Sequence, residues 1–284
     1  MTGFFLALAL AYAAAAQATA GQPRNTPPPS TLKSRGEVRV PFKTGELLTY
    51  DVSYSTYVTA GTVTMNVQSK RPSLNSVAYY VVAEARPTPL MSKVYTLYYK
   101  ADVLMDVYTL LPQRAGVYSE EGQRHQMKVT TFDNATRKAT FEDVTKKTGK
   151  REFDVPAFTQ DALSAIYVIR ALPLKVGARE SIPVATGGHA YRALVNVVGT
   201  ESLTTPAGPF QAFRIRTTLA GEDGQPSGRP IHLWISDTPS RVPIRIQTEL
   251  TVGSFNLSLR EARLGGMTTP PPAPAGPAPF VPGR

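Results

Sequence analysis

Residues 161–170 read Asp-Ala-Leu-Ser-Ala-Ile-Tyr-Val-Ile-Arg, and the chain runs on through Ala171-Leu-Pro-Leu-Lys-Val-Gly177. This stretch decides the fold, because it is the one convincing helix in a chain that otherwise reads as short strands. Asp161 is a good N-cap, since its carboxylate can accept from the free N–H groups of the first turn. Thr159 is the rival cap. Leu163, Ile166, Tyr167 and Arg170 follow at i, i+3, i+4 and i+7 and share one face, which Ile169 and Leu172 widen. Pro173 cannot continue the helix, and Gly177 sits in the turn beyond. Ser164 fits a capping or packing role. Arg170 lies on the apolar stripe, so it must reach water, meet a carboxylate in a structural ion pair, or receive an anionic group in a cavity.

Outward from the helix the period is two. Leu48, Tyr50, Val52 and Tyr54 alternate with polar residues, which marks a half-buried strand with an aromatic inner face. Ala60-Gly61 is expected to make a turn into a second strand carrying Val63, Met65 and Val67. Further strands are expected at 78–85, 92–105, 113–119, 124–132 and 138–142. After the helix they are expected at 179–185, 191–200, 210–219, 230–236, 242–251 and 254–260. One helix among many short strands predicts a mainly β protein. The form expected is a strongly curved antiparallel sheet or open β-barrel around one central helix at about 160–172. An echo links the two halves. Asp106, Thr109, Pro112 and Arg114 before the helix match Asp237, Thr238, Pro243 and Arg245 after it, and Lys43-Thr44-Gly45 matches Lys175-Val176-Gly177.

The termini differ from the body. Phe4–Ala16 is an apolar run too short to span a bilayer, and Ala18-Thr19-Ala20 is a small-residue cleavage pattern. Residues 1–20 therefore read as a secretory signal peptide. Residues 21–40 read as a disordered leader, 41–264 as one β-rich domain, and 265–284 as a Pro-rich disordered tail. The chain holds no cysteine, which excludes disulfides, thiol nucleophiles and thiolate metal sites. No later apolar run has membrane-spanning length. A periplasmic location after signal cleavage fits these features. The formal net charge of +10 points to anionic envelope components as partners. No nucleic-acid-binding motif is present.

No catalytic motif is found: no G-x-S-x-G elbow, no P-loop, no S-x-x-K and no cofactor fingerprint. His125, His189 and His232 lack metal-ligand spacing, so no metal or cofactor is expected. Glu120 and Glu121 point to opposite faces while extended and cannot share a site. Aromatics are the richer signal. Tyrosines crowd the first half, and an apolar ring with a polar tip suits the mouth of a cavity for lipid or sugar, as well as an ordinary sheet core. The candidate ligand-facing residues are Tyr50, Tyr54, Tyr95, Tyr167 and Arg170. Arg214, Arg216 and Arg245 alternate with apolar residues and project from the polar faces of their strands.

Four segments together resemble domain-of-unknown-function family 3108, a group of exported bacterial proteins. They are Gly45–Gly61 (GELLTYDVSYSTYVTAG), Asp161–Gly177, Gly199–Arg216 (GTESLTTPAGPFQAFRIR) and Leu233–Ile246 (LWISDTPSRVPIRI). The resemblance covers the folded body and carries no assigned activity or catalytic residues. A more distant likeness, at fold level, is to periplasmic lipoprotein carriers of the LolA and LolB type, open half-barrels whose helices cover an apolar cavity. The expected function is non-enzymatic binding of a lipid or other amphiphile between sheet and helix. The alternatives are a structural or interaction protein with a solid core and a hydrolase acting on envelope polymers.

Overall fold

A computed structural model describes residues 36–265, except 55–57, 94–95, 147–148, 222 and 250–253. The expected signal segment, most of the expected leader and tail, and Tyr95 lie outside the described residues. Fourteen strands form one sheet. They are β1 (Glu46–Tyr54), β2 (Val58–Ser73), β3 (Ser76–Pro87), β4 (Leu97–Asp106), β5 (Pro112–Glu121), β6 (Arg124–Asp133), β7 (Lys138–Asp143) and β8 (Arg151–Asp154), then β9 (Arg179–Thr186), β10 (His189–Thr205), β11 (Gly208–Ala220), β12 (Pro226–Ser236), β13 (Pro243–Glu249) and β14 (Ser254–Leu264). Two helices interrupt them: α1 (Pro89–Ser92) after β3 and α2 (Ala162–Ala171) between β8 and β9. None of the described helices is long and apolar enough to cross a membrane.

The spatial order is β8-β7-β6-β5-β4-β3-β2-β1-β14-β13-β12-β11-β10-β9, and every ladder is antiparallel. Two sequential meanders therefore meet at the β1–β14 pair. The free edges are β8 and β9. Laid flat, these edges would stand about 60 Å apart at ~4.8 Å per strand. Yet Arg151 on β8 lies 3.5 Å from His189 Nε2 at the start of β10, and the Phe141 ring of β7 lies against Gly188. The sheet must therefore curl strongly. It does not close, because no backbone ladder joins β8 to β9. Instead the chain leaving β8 covers the edge: Gln160 N–H donates to the Pro183 carbonyl, and Ala185 N–H donates to the Gln160 carbonyl. That satisfies edge groups which would otherwise invite pairing with another chain.

Several expectations change. Ala60-Gly61 is no turn, since both residues lie inside the 16-residue β2. Gly61 is there for clearance: a Cβ would stand 2.4 Å from the Arg86 carbonyl oxygen on β3. Residue 92 belongs to α1, whose Pro89 opens the turn and whose Thr88 caps it, so β4 starts only at Leu97. The short β8 had no sequence signal. Val38 and Val40, in the segment read as leader, pack against the core, and Val38 N–H donates to the Val107 carbonyl.

The echo between the halves has structural counterparts. Pro41-Phe42-Lys43-Thr44-Gly45 enters β1, and Pro173-Leu174-Lys175-Val176-Gly177 enters β9. Gly45 and Gly177 have φ of 87° and 85°, a region that costs other residues dearly. Each donates its N–H over 2.8 Å to a valine carbonyl, Val67 on β2 and Val197 on β10. The register slips just after each valine, between Val67 and Ser69 and between Val197 and Gly199. The Asp106 and Asp237 turns also agree: the fourth residue after each, Leu110 and Arg241, has positive φ.

Two apolar cores result. The first gathers side chains of β1 to β7 and single residues from β9 to β14, such as Trp234, Ile244 and Leu259, with Phe42, Leu163 and Tyr167 among them. The second gathers β9 to β13, with Ala165, Ile169 and Leu174. Helix α2 contributes to both. Its buried residues are Leu163, Ser164, Ala165, Tyr167, Ile169 and Arg170, which point in nearly every direction. The helix is thus not amphipathic as its spacing suggests. It is apolar nearly all round because it has apolar neighbours on two sides, and its two polar side chains are among the buried ones.

Candidate functional site

The alternation that places Leu48, Tyr50 and Val52 in the core also places Glu46 there, two residues earlier. Glu46 is fully buried. Asp161 caps α2 by accepting from Leu163 N–H (2.8 Å) and Ser164 N–H (3.2 Å), and Ser164 Oγ accepts from Asp161 N–H. With this capping box fixing the start of the helix, Arg170 in its last turn is delivered to Glu46. Its Nη1 and Nη2 donate to the two Glu46 carboxylate oxygens at 2.6 and 2.7 Å. Its Nε donates to the Arg241 carbonyl (2.9 Å), and Nη2 also donates to the Ser240 carbonyl (3.0 Å). The Tyr167 and Phe42 rings flank the guanidinium, 5.0 and 5.3 Å from their centroids.

Tyr50 lies in the same buried cluster and donates its hydroxyl to the Pro243 carbonyl at 2.8 Å. Desolvation raises its pKa well above the usual 10, partly opposed by Arg170. Burial raises that of Tyr167 as well. The Tyr167 hydroxyl is buried without a protein partner. Desolvation is also the largest influence on Asp161, and it lifts the carboxyl above its ordinary 3.8 against the hydrogen bonds from Ser164 and Leu163. Helix α2, β1 and the β12–β13 turn are therefore tied together by one bidentate, charge-assisted pair.

Of the tyrosines and the arginine singled out from the sequence, Tyr50, Tyr167 and Arg170 come together. Tyr54 does not join them; it is half-buried and sits edge-on to Phe255 with ring centroids 5.7 Å apart. Tyr95 lies outside the described residues. Sequence reasoning missed Glu46, although the signal was available, because it shares the phase of Leu48 and Tyr50.

A second feature lies on the other side of α2. Ala162, Ala165, Ile166 and Ile169 of the helix face Val184, Ala193, Leu219, Ile231, Leu233 and Ile246 of the sheet across an apolar crevice of about 90 Å³. Thr186 and Thr217 are the only hydroxyl-bearing side chains in its lining, and Thr217 Oγ1 is buried without a protein partner. The volume is well below the ~300 Å³ at which ligand pockets begin. None of Tyr50, Tyr167 and Arg170 lines it. No group of three or more potential metal-ligating side chains occurs among the described residues.

An open, strongly curled antiparallel sheet with a helix packed against both its cores defines a β-barrel-like class. The chain belongs to a family of proteins of unknown function, DUF3108, which it matches over residues 49–260. No curated protein sequence matches it. Among solved structures it is similar to a β-barrel-like DUF1849 protein from Brucella abortus, at 9% identity over 81% of this chain and 100% of that one, with a TM-score of 0.50. It also matches a YmcC-like-fold protein from Bacteroides fragilis at 13% identity, over 80% of this chain and 100% of that chain, with a TM-score of 0.34.

Proposed function

We propose that this is an exported, non-enzymatic envelope protein, periplasmic after cleavage near Ala20, that takes the apolar end of an amphiphile into the crevice between α2 and the second half of the sheet. The observation that carries this reading is the crevice lining, which is almost wholly aliphatic and includes a helix face. Burying aliphatic surface stabilises by about 25 cal/mol per Å², so an acyl end is the chemistry such a lining favours. Because the space is small, only a chain terminus fits until α2 shifts outward. In this reading the Glu46–Arg170 pair is a structural clamp, and Arg170, Tyr50 and Tyr167 act by holding the helix.

The second reading is a structural or interaction protein with a solid core, favoured by the volume of about 90 Å³. A hydrolase has no comparable support. Native mass spectrometry of protein purified from its own envelope, followed by organic extraction, separates the two readings. The expected result is an apolar adduct that organic solvent releases and that Ala193→Leu, which fills the crevice, reduces. A clean protein mass, with no uptake of added lysophospholipid, would leave the solid-core reading standing.

A further inference from the structure

The face of β9, β10 and β11 turned away from α2 carries a different chemistry. Val195, Val197 and Ile215 point to the second core, so alternation sends Asn196 and Arg216 to the opposite side. Asn196 pairs with Arg179 on one flank and with Arg216 on the other. Directly opposed side chains stand about 5 Å apart, so the two guanidinium stems flank one amide across about 10 Å. The three line a cleft of about 460 Å³, whose wall is the Val176–Gly177–Ala178 entry to β9.

The arrangement is unbalanced. Many cations of this protein have an acidic partner, such as Arg214 with Glu201, Arg260 with Asp51 and Arg114 with Asp102. Arg179 and Arg216 have no carboxylate within 4 Å among the described residues, and the Asn196 amide has no hydrogen-bond partner there. Glu180 follows Arg179 but alternates to the other side of β9. The next residue across from Arg216 is His232. Its pKa is lowered, first by desolvation and then by Arg214 and Arg216, while Glu249 opposes. Val176 and Val198, both exposed, line the same cleft and place aliphatic surface beside the cations.

We propose that Arg179, Asn196 and Arg216 form a binding site for a phosphate group, with the two guanidinium forks donating to its oxygens and the Asn196 amide donating between them. Planar forks suit phosphate because they can donate in pairs. Asn196 supplies a neutral donor that adds no repulsion. The site lies on the opposite face of the sheet from the crevice and stands whether or not an amphiphile binds there. A phosphodiester lipid headgroup and a soluble phosphate ester share this chemistry.

The test is titration of the full-length mature protein with inorganic phosphate, following the Asn196 side-chain amide by NMR, in parallel with sedimentation on phosphatidylcholine vesicles with and without phosphatidylglycerol. The expected result is saturable movement of the Asn196 amide. The dissociation constant should rise at least about tenfold in Arg179→Gln/Arg216→Gln and stay unchanged in Arg192→Gln, which removes an exposed arginine outside the cleft. Phosphate binding with vesicle recruitment that the double variant abolishes assigns a lipid headgroup. Phosphate binding without recruitment assigns a soluble ester. An Asn196 amide unmoved by phosphate, or a double variant that binds as tightly as the parent, overturns the site.

Discussion

Removing either member of the Glu46–Arg170 pair should cost more than removing both. The two side chains are 1% and 0% exposed, so neither charge can recover hydration in place. Glu46→Leu leaves the guanidinium buried with only the Ser240 and Arg241 carbonyls. Arg170→Met leaves the carboxylate buried with no cation, and strands those two carbonyls as well. Breaking a buried pair by removing one partner typically costs about 3–5 kcal/mol, equal here to a fall in Tm of roughly 6–20 °C for a domain of this size. The double variant Glu46→Leu/Arg170→Met leaves no charge among Tyr50, Phe42 and Tyr167, only carbonyls short of a donor at about 1–3 kcal/mol. It should therefore be more stable than either single variant, with a coupling energy of about 2 kcal/mol or more. Urea unfolding reports this through Trp234, the single tryptophan, which is buried, with circular dichroism as an independent probe. Single variants each within about 1 kcal/mol of the parent, or penalties that simply add in the double, would refute the reasoning.

Two further outcomes follow from local geometry. Asp161 has a raised pKa in the folded state, so its contribution is fully present below 3.8 and is lost as pH rises through the folded value. Asp161→Asn keeps the cap and removes the buried charge. It should match or exceed the parent in stability at pH 7, and that advantage should shrink as pH falls toward 3.8, whereas Asp161→Ala should lose about 1 kcal/mol. Unfolding curves at pH 3.5, 5 and 7 check both. Gly61→Ala should destabilise by about 1–3 kcal/mol, since its Cβ would meet the Arg86 carbonyl at 2.4 Å, and a melting temperature equal to the parent's would show that β2 and β3 can separate freely there.

The sequence carried the local rules well and the non-local ones poorly. Strand positions were legible from alternation, and α2 from its cap and its proline stop, because those signals sit within a few residues of each other. The capping box at Asp161 and Ser164 follows from the same local chemistry. A carboxylate was one of three partners open to Arg170, beside water and an anionic group in a cavity, and that Glu46 would supply it was not legible, since the two are brought together only by the curl of the sheet. The polarity of α2 misled for the same reason: Ile169 read as a widening of one apolar stripe, but with Ala165 it belongs to a second apolar surface that has meaning only once β9 to β13 lie against it. Gly61 shows a different failure. Ala-Gly is ordinary turn composition, and only the approach of Arg86 from β3 reveals a glycine demanded by clearance.

The central place of the β1–β14 pair bears on how the molecule is made. Glu46 pairs with Leu264 and Tyr54 with Phe255, so the first and the last of the described strands lie side by side in the middle of the sheet. Until the final strand arrives, β1 presents one edge with no partner, and β13 presents another. The two meanders, each built from sequence neighbours, can form early, but joining them must wait for the C-terminal end of the body. Long-range pairing of this kind is slow and leaves edges open to other chains. A chain released short of Ser254 would keep thirteen of the fourteen described strands and expose two edges at the centre of the sheet. For such a fold, a period in which the chain is held unpaired until its last strand is available protects against aggregation.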